Sequence, residues 1–302
     1  MEKSTHSFSR KGIGGSGMTP PFFLGIDIGS QGGRVVLIDA NGNMIAESEE
    51  TFPLSDSSRQ EQSPQHWWEA CLLSLRRLIA DAKPIVDVAH IKALSVTSTS
   101  GTVIPLDANH QPLHNAIMYS DGRSAAEGTL SRQAALQYNS DSYTGFNSSS
   151  GLSKMVWFAR NFQEQAAKIS KWVHAADFIT GKLCGIWGVT EYTNALKSGY
   201  DLEQNEWPEY LWDVLPLKKK CLPVVVPSGT PIGVIEHAVA AQLGLQKTIQ
   251  VVTGMTDGCA SQIASGAVNL GDWNTTIGTT LVIKGVTKQR IKDAEESLYN
   301  HR

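Results

Sequence analysis

An aspartate near the end of an apolar segment, with a glycine-rich turn behind it, is the first feature that could do chemistry. Asp27 lies in the segment Phe22–Ile28, and the residues after it supply candidate phosphate contacts: Gly29, Ser30, Gln31 and Arg34. Glycine lets backbone N–H groups approach phosphate oxygens because no Cβ stands in the way, and a neighbouring carboxylate can hold Mg²⁺ directly or through water. The segment therefore predicts a phosphate-binding turn with Asp27 as a metal ligand. An ordinary β-hairpin is the alternative, whereas a P-loop is excluded because no Gly-Lys-Ser/Thr follows.

A second aspartate, Asp257, lies between Gly254 and Gly258 at a predicted strand-to-helix turn. The positive end of a helix favours an ionised carboxylate, and phosphoryl transfer needs a base that takes the proton of the acceptor hydroxyl. Asp257 is therefore the candidate general base, with a plain N-cap aspartate as the alternative. A second strand–turn–strand follows, and its turn repeats the pattern of glycine and hydroxyl residues: Gly278, Thr279 and Thr280. Two such turns could face one polyphosphate from opposite sides.

Hydroxyl, carboxylate and guanidinium groups that could hold a polyol lie between these two turns in the chain. Ser100 belongs to a run of hydroxyl residues, 98–102, between two predicted strands. Asp121 and Arg123 follow a third predicted strand and precede a helix. We predict that these three residues contact a sugar. For Asp121 and Arg123, a turn with an N-cap and a solvated arginine is a nearly equal alternative.

Composition limits the compartment and the partners. The chain has 302 residues, of which 41% are hydrophobic and 18% charged, and its net charge is −3. This length supports a sizeable core in one or two domains, and the small net charge points away from nucleic acid and anionic membrane surfaces. No apolar run approaches the ~20 residues of a membrane helix. Four scattered cysteines predict reduced thiols in a cytoplasmic protein. Residues 1–21 are predicted to be a disordered leader, with a short organellar transit peptide as the weaker alternative.

The elements that must position these groups alternate between strands and helices. Asn41-Gly42 between two apolar runs predicts a hairpin, and Ser63-Pro64 predicts the start of a helix with serine as N-cap. A helix over 175–180 is predicted to stop at Gly181. The predicted strands are 22–28, 34–39, 44–52, 91–96, 102–106, 116–118, 249–253, 273–277 and 281–286. Strand meanders interleaved with helices predict an α/β fold whose mixed sheet is flanked by helices.

Six ordered motifs give the chain, over about residues 22–286, a resemblance to the FGGY family of carbohydrate kinases. They are the phosphate motif from Asp27 to Arg34, Gln62-Ser63-Pro64 before Trp67-Trp68, Asp121-Gly122-Arg123, the segment 152–158 around Lys154 and Trp157, Thr256-Asp257-Gly258, and Ile277-Gly278-Thr279-Thr280. Gly151 departs from the family pattern, which has Pro, Ser or Thr at this position. Segments 99–103 and 194–200 are most similar to plant and cyanobacterial members of the ribulose and xylulose kinase-like type.

The resemblance implies an actin-like ATPase (ribonuclease H-like) fold and ATP-dependent phosphorylation of a sugar hydroxyl with Mg²⁺. It implies that Asp257 is the general base and that Asp27 organises Mg²⁺–ATP. The implied acceptor is a ketopentose, D-ribulose or D-xylulose. Thr97 stands where the most similar members carry an acid, which leaves the sugar open.

Three parts of the chain are expected from the resemblance. They are a leader (1–21), an N-terminal sugar-binding domain (22–247) and the start of a C-terminal nucleotide-binding domain (248–302). Because family members continue well past this length, we expect an incomplete second domain and weak or absent activity of this chain alone. Two alternatives stay open: a sugar-binding module without catalysis, and another actin-like ATPase that is indifferent to sugars. The expected partners are a sugar and ATP, and a homodimer is left open.

Overall fold

The structure is a computed structural model that describes residues 21–277, 281–291 and 298–301. The predicted leader, apart from Pro21, and the predicted turn of Gly278, Thr279 and Thr280 lie outside the described residues. The strands are β1 (Phe22–Ile28), β2 (Gly32–Ile38), β3 (Met44–Thr51), β4 (Glu61–Gln62), β5 (Ile91–Ser98), β6 (Val103–Leu106), β7 (Ala116–Ile117), β8 (Lys171–His174), β9 (Val189–Glu191), β10 (Val224–Val226), β11 (Pro231–Val234), β12 (Gln250–Val252), β13 (Trp273–Ile277) and β14 (Leu281–Gly285).

The α-helices in the described ranges are α1 (Pro64–Ala82), α2 (Ala125–Tyr138), α3 (Gly151–Asn161), α4 (Gln163–Lys168), α5 (Ala175–Cys184), α6 (Tyr192–Leu196), α7 (Tyr210–Asp213), α8 (His237–Leu243) and α9 (Asp257–Ala264). None of these helices combines the length and the apolar character that crossing a membrane requires.

A six-stranded mixed sheet forms the centre of the fold, in the order β11-β12-β5-β1-β2-β3. β1, β2 and β3 form an antiparallel meander, whereas β5 lies parallel to β1, and β12 lies parallel to β5. The sequence explains the meander, because alternate residues of β1 are buried and Gly42 adopts φ +80° in the turn before β3, a conformation that glycine tolerates. The three parallel strands have their carboxyl ends at one edge, where α/β sheets bind ligands.

Helix α1 packs against β2 and β3. It begins as predicted, since Oγ of Ser63 accepts a hydrogen bond from the N–H of His66 and Pro64 is the first helical residue. Its inner face buries Trp67, Leu75 and other apolar side chains in the core of the central sheet.

A second, four-stranded antiparallel sheet has the order β4-β7-β6-β8. Val103 and Ile117 of this sheet pack with Leu152 and Phe158 of α3 in a core of their own. The loop between β7 and α2 carries Asp121, so this sheet positions one end of the predicted sugar site.

The domain boundary expected at 247/248 stays a prediction, and β12, which follows it, pairs with β5 and β11 inside the central sheet. This sheet therefore extends to Val252. One predicted helix end is wrong. The helix expected to stop at Gly181 continues to Cys184 and ends at Gly185, which has φ +72°. Gly181 lies inside α5 and leaves room for Trp187, because a Cβ at Gly181 would lie 2.5 Å from a carbon of that ring.

Candidate active site

Three parallel strands bring the two predicted carboxylates to one edge of the central sheet. Asp27 on β1 pairs with Thr97 on β5, and Ser98 at the end of β5 forms a parallel bridge with Thr256. Asp257 is the next residue and begins α9. The two carboxylates lie close enough for Asp257 to raise the pKa of Asp27. Residues 230 positions apart in the sequence thus face one site.

Asp27 has the surroundings of a cation ligand. Its Oδ1 is buried and has no hydrogen-bond partner in the described part of the chain, and its Oδ2 lies 3.9 Å from Nη1 of Arg34. Burial raises the pKa of Asp27, Asp257 adds to the rise, and Arg34 opposes it. A bound cation would offset the free-energy cost of burying the Asp27 charge and the repulsion between the two carboxylates. The described residues contain no cluster of three metal-ligating side chains.

Gln62 holds the predicted phosphate turn in place. Gly29 closes the turn with a 3.1 Å backbone hydrogen bond, and Ser30 and Gln31 are exposed at its tip. Nε2 of Gln62 donates to the carbonyl oxygen of Ser30 over 2.8 Å. Oε1 of Gln62 accepts a 2.8 Å hydrogen bond from the indole of Trp67. The motif that contains Gln62 and Trp67 is visible in the sequence, but its role as a support for the turn emerges only from these contacts.

Asp257 is accessible at the edge of the sheet. Its Oδ1 accepts a 2.7 Å hydrogen bond from the N–H of Gly258. The surrounding protein still displaces enough water to raise the pKa of Asp257, while the Gly258 N–H, Lys197 and Lys284 oppose the rise. A reachable carboxylate with a raised pKa has the properties expected of a general base.

Gly254 allows the segment before Asp257 to approach β5 closely. A Cβ at Gly254 would lie 1.9 Å from the carbonyl oxygen of Val96 and 3.1 Å from Oγ of Ser95. Because the first distance is far below any van der Waals contact, only glycine fits there. The glycine at position 254 is therefore required by the packing of this segment against β5.

Lys197 is a site residue that the sequence pattern does not single out. Its ammonium nitrogen lies 4.7 Å from the centre of the Tyr299 ring. Burial lowers the pKa of Lys197, whereas nearby Asp257 and Cys259 oppose that shift. Lys197 is thus a cation beside the candidate base. A lysine in a polar segment is usually solvated, so only the fold reveals this placement.

The predicted sugar residues Asp121 and Arg123 form an ion pair in which Asp121 is buried. Asp121 is 1% exposed, and Arg123 binds its two carboxylate oxygens through Nε at 3.0 Å and Nη2 at 2.7 Å. The guanidinium also donates to Glu61 over 2.7 Å and lies 4.4 Å from the centre of the Trp157 ring. Asp121 offers almost no surface to a ligand, and Arg123 is the accessible member of the pair.

Ser100 presents an unpaired hydroxyl two residues after the end of β5. Its Oγ is buried and has no hydrogen-bond partner among the described residues, whereas the hydroxyls of Thr99 and Thr102 bond to each other over 3.0 Å. A buried hydroxyl without a partner costs free energy unless water or a ligand satisfies it. The contact of Ser100 with a sugar stays a prediction.

Lys154 is a buried cation beside the ion pair. It is 0% exposed, and its Nζ donates to the carbonyl oxygens of Ser148 and Asp121. Burial lowers the pKa of Lys154 to about 8, with Lys197 adding to the shift and Asp121 opposing it. The folded protein therefore releases this proton at a lower pH than the unfolded chain does.

We expect this lowered pKa to make stability depend on pH between about 8 and 10.5. In that window the unfolded chain binds more protons, so the free energy of unfolding rises with pH. The difference in unfolding free energy between wild type and Lys154→Met should change by roughly 3 kcal/mol across the window in favour of wild type. Urea titrations at several pH values measure it. The control is Lys168→Met, which changes an exposed lysine and should alter the unfolding free energy by the same amount at every pH. If the effect of Lys154→Met were equally independent of pH, the prediction would be wrong.

A profile of a known protein family matches most of the chain. Residues 22–264 match the FGGY family of carbohydrate kinases, N-terminal domain. The chain belongs to this family. The resemblance expected from the six motifs is therefore confirmed, and the matched residues of this FGGY chain include both Asp27 and Asp257.

Similar proteins of known name are sugar kinases. The xylulose kinase of Haemophilus influenzae is 25% identical over 298 residues and that of Escherichia coli is 26% identical over 282, each covering 92% of this chain. A crystal structure of gluconate kinase from Lactobacillus acidophilus has a TM-score of 0.81 over 92% of the chain at 23% identity, which confirms the expected actin-like ATPase fold. The chain spans 59% and 57% of the two xylulose kinases and 56% of the gluconate kinase chain.

Proposed function

We propose that this FGGY chain takes part in the ATP-dependent phosphorylation of a sugar hydroxyl. The observation that carries the proposal is the meeting of Asp27 and Asp257 at one edge of the central sheet. One carboxylate is partly buried, with an oxygen that no described residue pairs, and the other is accessible with a raised pKa. The first suits a metal–nucleotide complex and the second suits proton abstraction.

The proposed acceptor is a ketopentose, D-ribulose or D-xylulose. Support comes from the two xylulose kinases among the similar proteins and from the motifs at 99–103 and 194–200. Ser100 and Arg123 would orient the sugar through the unpaired hydroxyl and the partly exposed guanidinium. Because a gluconate kinase shares the fold, an aldonate is the natural comparison substrate.

The proposed step is a phosphoryl transfer in which Asp257 acts as general base. The oxygen of the sugar hydroxyl forms a bond to the γ-phosphorus of ATP, the bond from that phosphorus to the β–γ bridging oxygen breaks, and ADP leaves. Asp257 accepts the hydroxyl proton. The exposed turn around Ser30 and Gln31 would present its N–H groups to the phosphates. Residues 278–280, which lie outside the described ranges, stay the second predicted phosphate contact.

Asp27 would hold Mg²⁺, because its buried Oδ1 has no partner in the described ranges and a second carboxylate lies nearby. When bound, the ion would neutralise charge on the phosphates. Arg34, 3.9 Å from Oδ2 of Asp27, favours the ionised form of this carboxylate against the effects of burial and of Asp257. We also keep the division into a sugar-binding and a nucleotide-binding part, with the boundary moved behind β12.

An ADP-release assay with Mg²⁺ and ATP tests the proposal on D-ribulose, D-xylulose, gluconate and glycerol. In line with the expected weak activity of this chain alone, we expect slow release that depends on the ketopentose and still exceeds the background of the Asp257→Asn variant. Calorimetry separates the alternatives: sugar binding without nucleotide binding would indicate a binding module. ADP release indifferent to every sugar would indicate another actin-like ATPase.

A further inference from the structure

One peptide unit, a residue before Asp257, is held at both ends by threonine hydroxyls. This unit consists of the carbonyl group of Met255 and the N–H of Thr256. Oγ1 of Thr97 donates to the carbonyl oxygen of Met255 over 2.7 Å. The N–H of Thr256 donates to Oγ1 of Thr193 over 2.8 Å.

The two hydroxyls come from separate parts of the fold. Thr97 lies on β5, in the central sheet, and it pairs there with Asp27. Thr193 lies in α6, far from β5 in the sequence. The peptide is therefore fixed between the central sheet and a helix, and it cannot rotate about the chain direction without losing a hydrogen bond.

The hydroxyl of Thr193 has a fixed direction. It accepts from the Thr256 N–H, so its own proton is available for Oε1 of Glu191, which lies 2.9 Å away. Glu191 is 2% exposed, and the N–H groups of Thr193 and Asn194 also donate to its carboxylate, over 2.6 and 2.8 Å. Ser228 adds a further donor at 3.0 Å. The Thr193 hydroxyl, which accepts from the Thr256 N–H, is thus held in place by the buried and multiply hydrogen-bonded carboxylate of Glu191.

We propose that Thr97 and Thr193 are positioning residues for the Asp257 carboxylate and act through the Met255–Thr256 peptide. The inference rests on the proposed function, because a general base must be placed accurately beside the sugar hydroxyl. The position of a base one residue away follows the orientation of the peptide plane, and displacements of about 1 Å can cost about 10²-fold in rate. Thr97, whose position the family resemblance links to sugar choice, turns its hydroxyl to the backbone instead.

Amide hydrogen exchange and carboxyl titration by NMR test the clamp without any need for turnover. Thr193→Val keeps the shape of the side chain but removes the acceptor, so exchange of the Thr256 amide should accelerate about fivefold to tenfold. In Thr97→Val and Thr193→Val the carboxylate should also move into water, so the pKa of Asp257 should fall toward its ordinary value. Thr97→Ser and Thr193→Ser should restore both signals.

The matched control is Thr180→Val. Thr180 is 7% exposed and its hydroxyl bonds within α5 to the carbonyl oxygen of Ala176 over 2.8 Å, so its loss should leave the Thr256 amide and Asp257 unchanged. If Thr193→Val fails to fold, Thr97→Val alone tests the other end of the same peptide through the Asp257 titration. Wild-type values in the valine variants would overturn the proposal, as would equal changes in Thr180→Val.

Kinetics add a second readout in the ADP-release assay. The valine variants should lower kcat about tenfold or more and leave KM for the sugar nearly unchanged, and the serine variants should recover kcat. A loss confined to KM would overturn the positioning role. Absence of turnover in wild type would count against the proposed function alone, because the NMR measurements still decide whether the clamp exists.

Discussion

Replacement of Asp257 by asparagine is expected to lower kcat for sugar phosphorylation by about 10²–10⁴-fold, the usual contribution of a general base. Asparagine has nearly the same shape but cannot accept the hydroxyl proton. Because the carboxylate is accessible and forms no ion pair with a described residue, its loss should leave KM for the sugar almost unchanged. The ADP-release assay with the preferred ketopentose measures both constants.

Stability separates this catalytic loss from unfolding. The pKa of Asp257 is raised in the fold, so the unfolded chain ionises first as pH rises. The free energy of unfolding therefore falls between the ordinary and the raised pKa, and the cost persists at neutral pH. Removing the charge should leave Tm at neutral pH unchanged or slightly higher.

A matched control is Asp213→Asn, which changes an exposed aspartate in α7. It should retain the wild-type kcat. If Asp257→Asn kept wild-type turnover, or if it lost turnover only together with a large drop in Tm, Asp257 would not be the general base.

The central hairpins could be predicted because their signals are local. Alternating burial in β1 and the turn at Asn41-Gly42 each depend on neighbouring residues. The same holds for the start of α1 at Ser63. Asp27 and Asp257 could be singled out as candidates because each follows or precedes glycines at the end of a strand.

The placement of β12 could not be predicted in the same way. It has three residues, too few for a periodic pattern, and its partner β5 lies more than 150 residues earlier in the chain. Gly181 was misleading for a related reason: the ring that requires a glycine there, Trp187, is brought into place by tertiary packing. Local propensity favours a helix stop, and packing overrides it.

Several residues of the site carry no distinctive sequence signal. The family resemblance points to Thr97 only as a determinant of the sugar, and Thr193 is one hydroxyl residue among many. The proposed role of both lies in a peptide unit that only the fold brings between them. Gln62 lies in a recognised motif, yet its link to Ser30 crosses 32 positions. For Asp121, the sequence left open a sugar contact or a turn with an N-cap and a solvated arginine. The fold adds a pair between the buried carboxylate and Arg123, and the sugar contact stays a prediction.

Removal of Arg123 is expected to destabilise the fold by about 3 kcal/mol, because it leaves the buried Asp121 carboxylate without its partner. Arg123→Lys should be intermediate, since an ammonium group cannot bind both oxygens as the guanidinium does. Arg77→Ala is the control. Arg77 pairs with Glu50 but its side chain is 51% exposed, so its loss should cost at most about 1 kcal/mol. Urea unfolding at neutral pH measures all three variants.

The double variant Asp121→Asn/Arg123→Ala distinguishes a structural role from a binding role. Neutralising the buried carboxylate should recover much of the stability that Arg123→Ala loses, because a neutral side chain no longer needs the guanidinium as its partner. Sugar affinity, measured by calorimetry, should not recover if the exposed part of Arg123 contacts the sugar. Recovery of both stability and sugar affinity would show that Arg123 serves only the fold. If Arg123→Ala were as stable as Arg77→Ala, the predicted contribution of the buried ion pair to stability would be wrong.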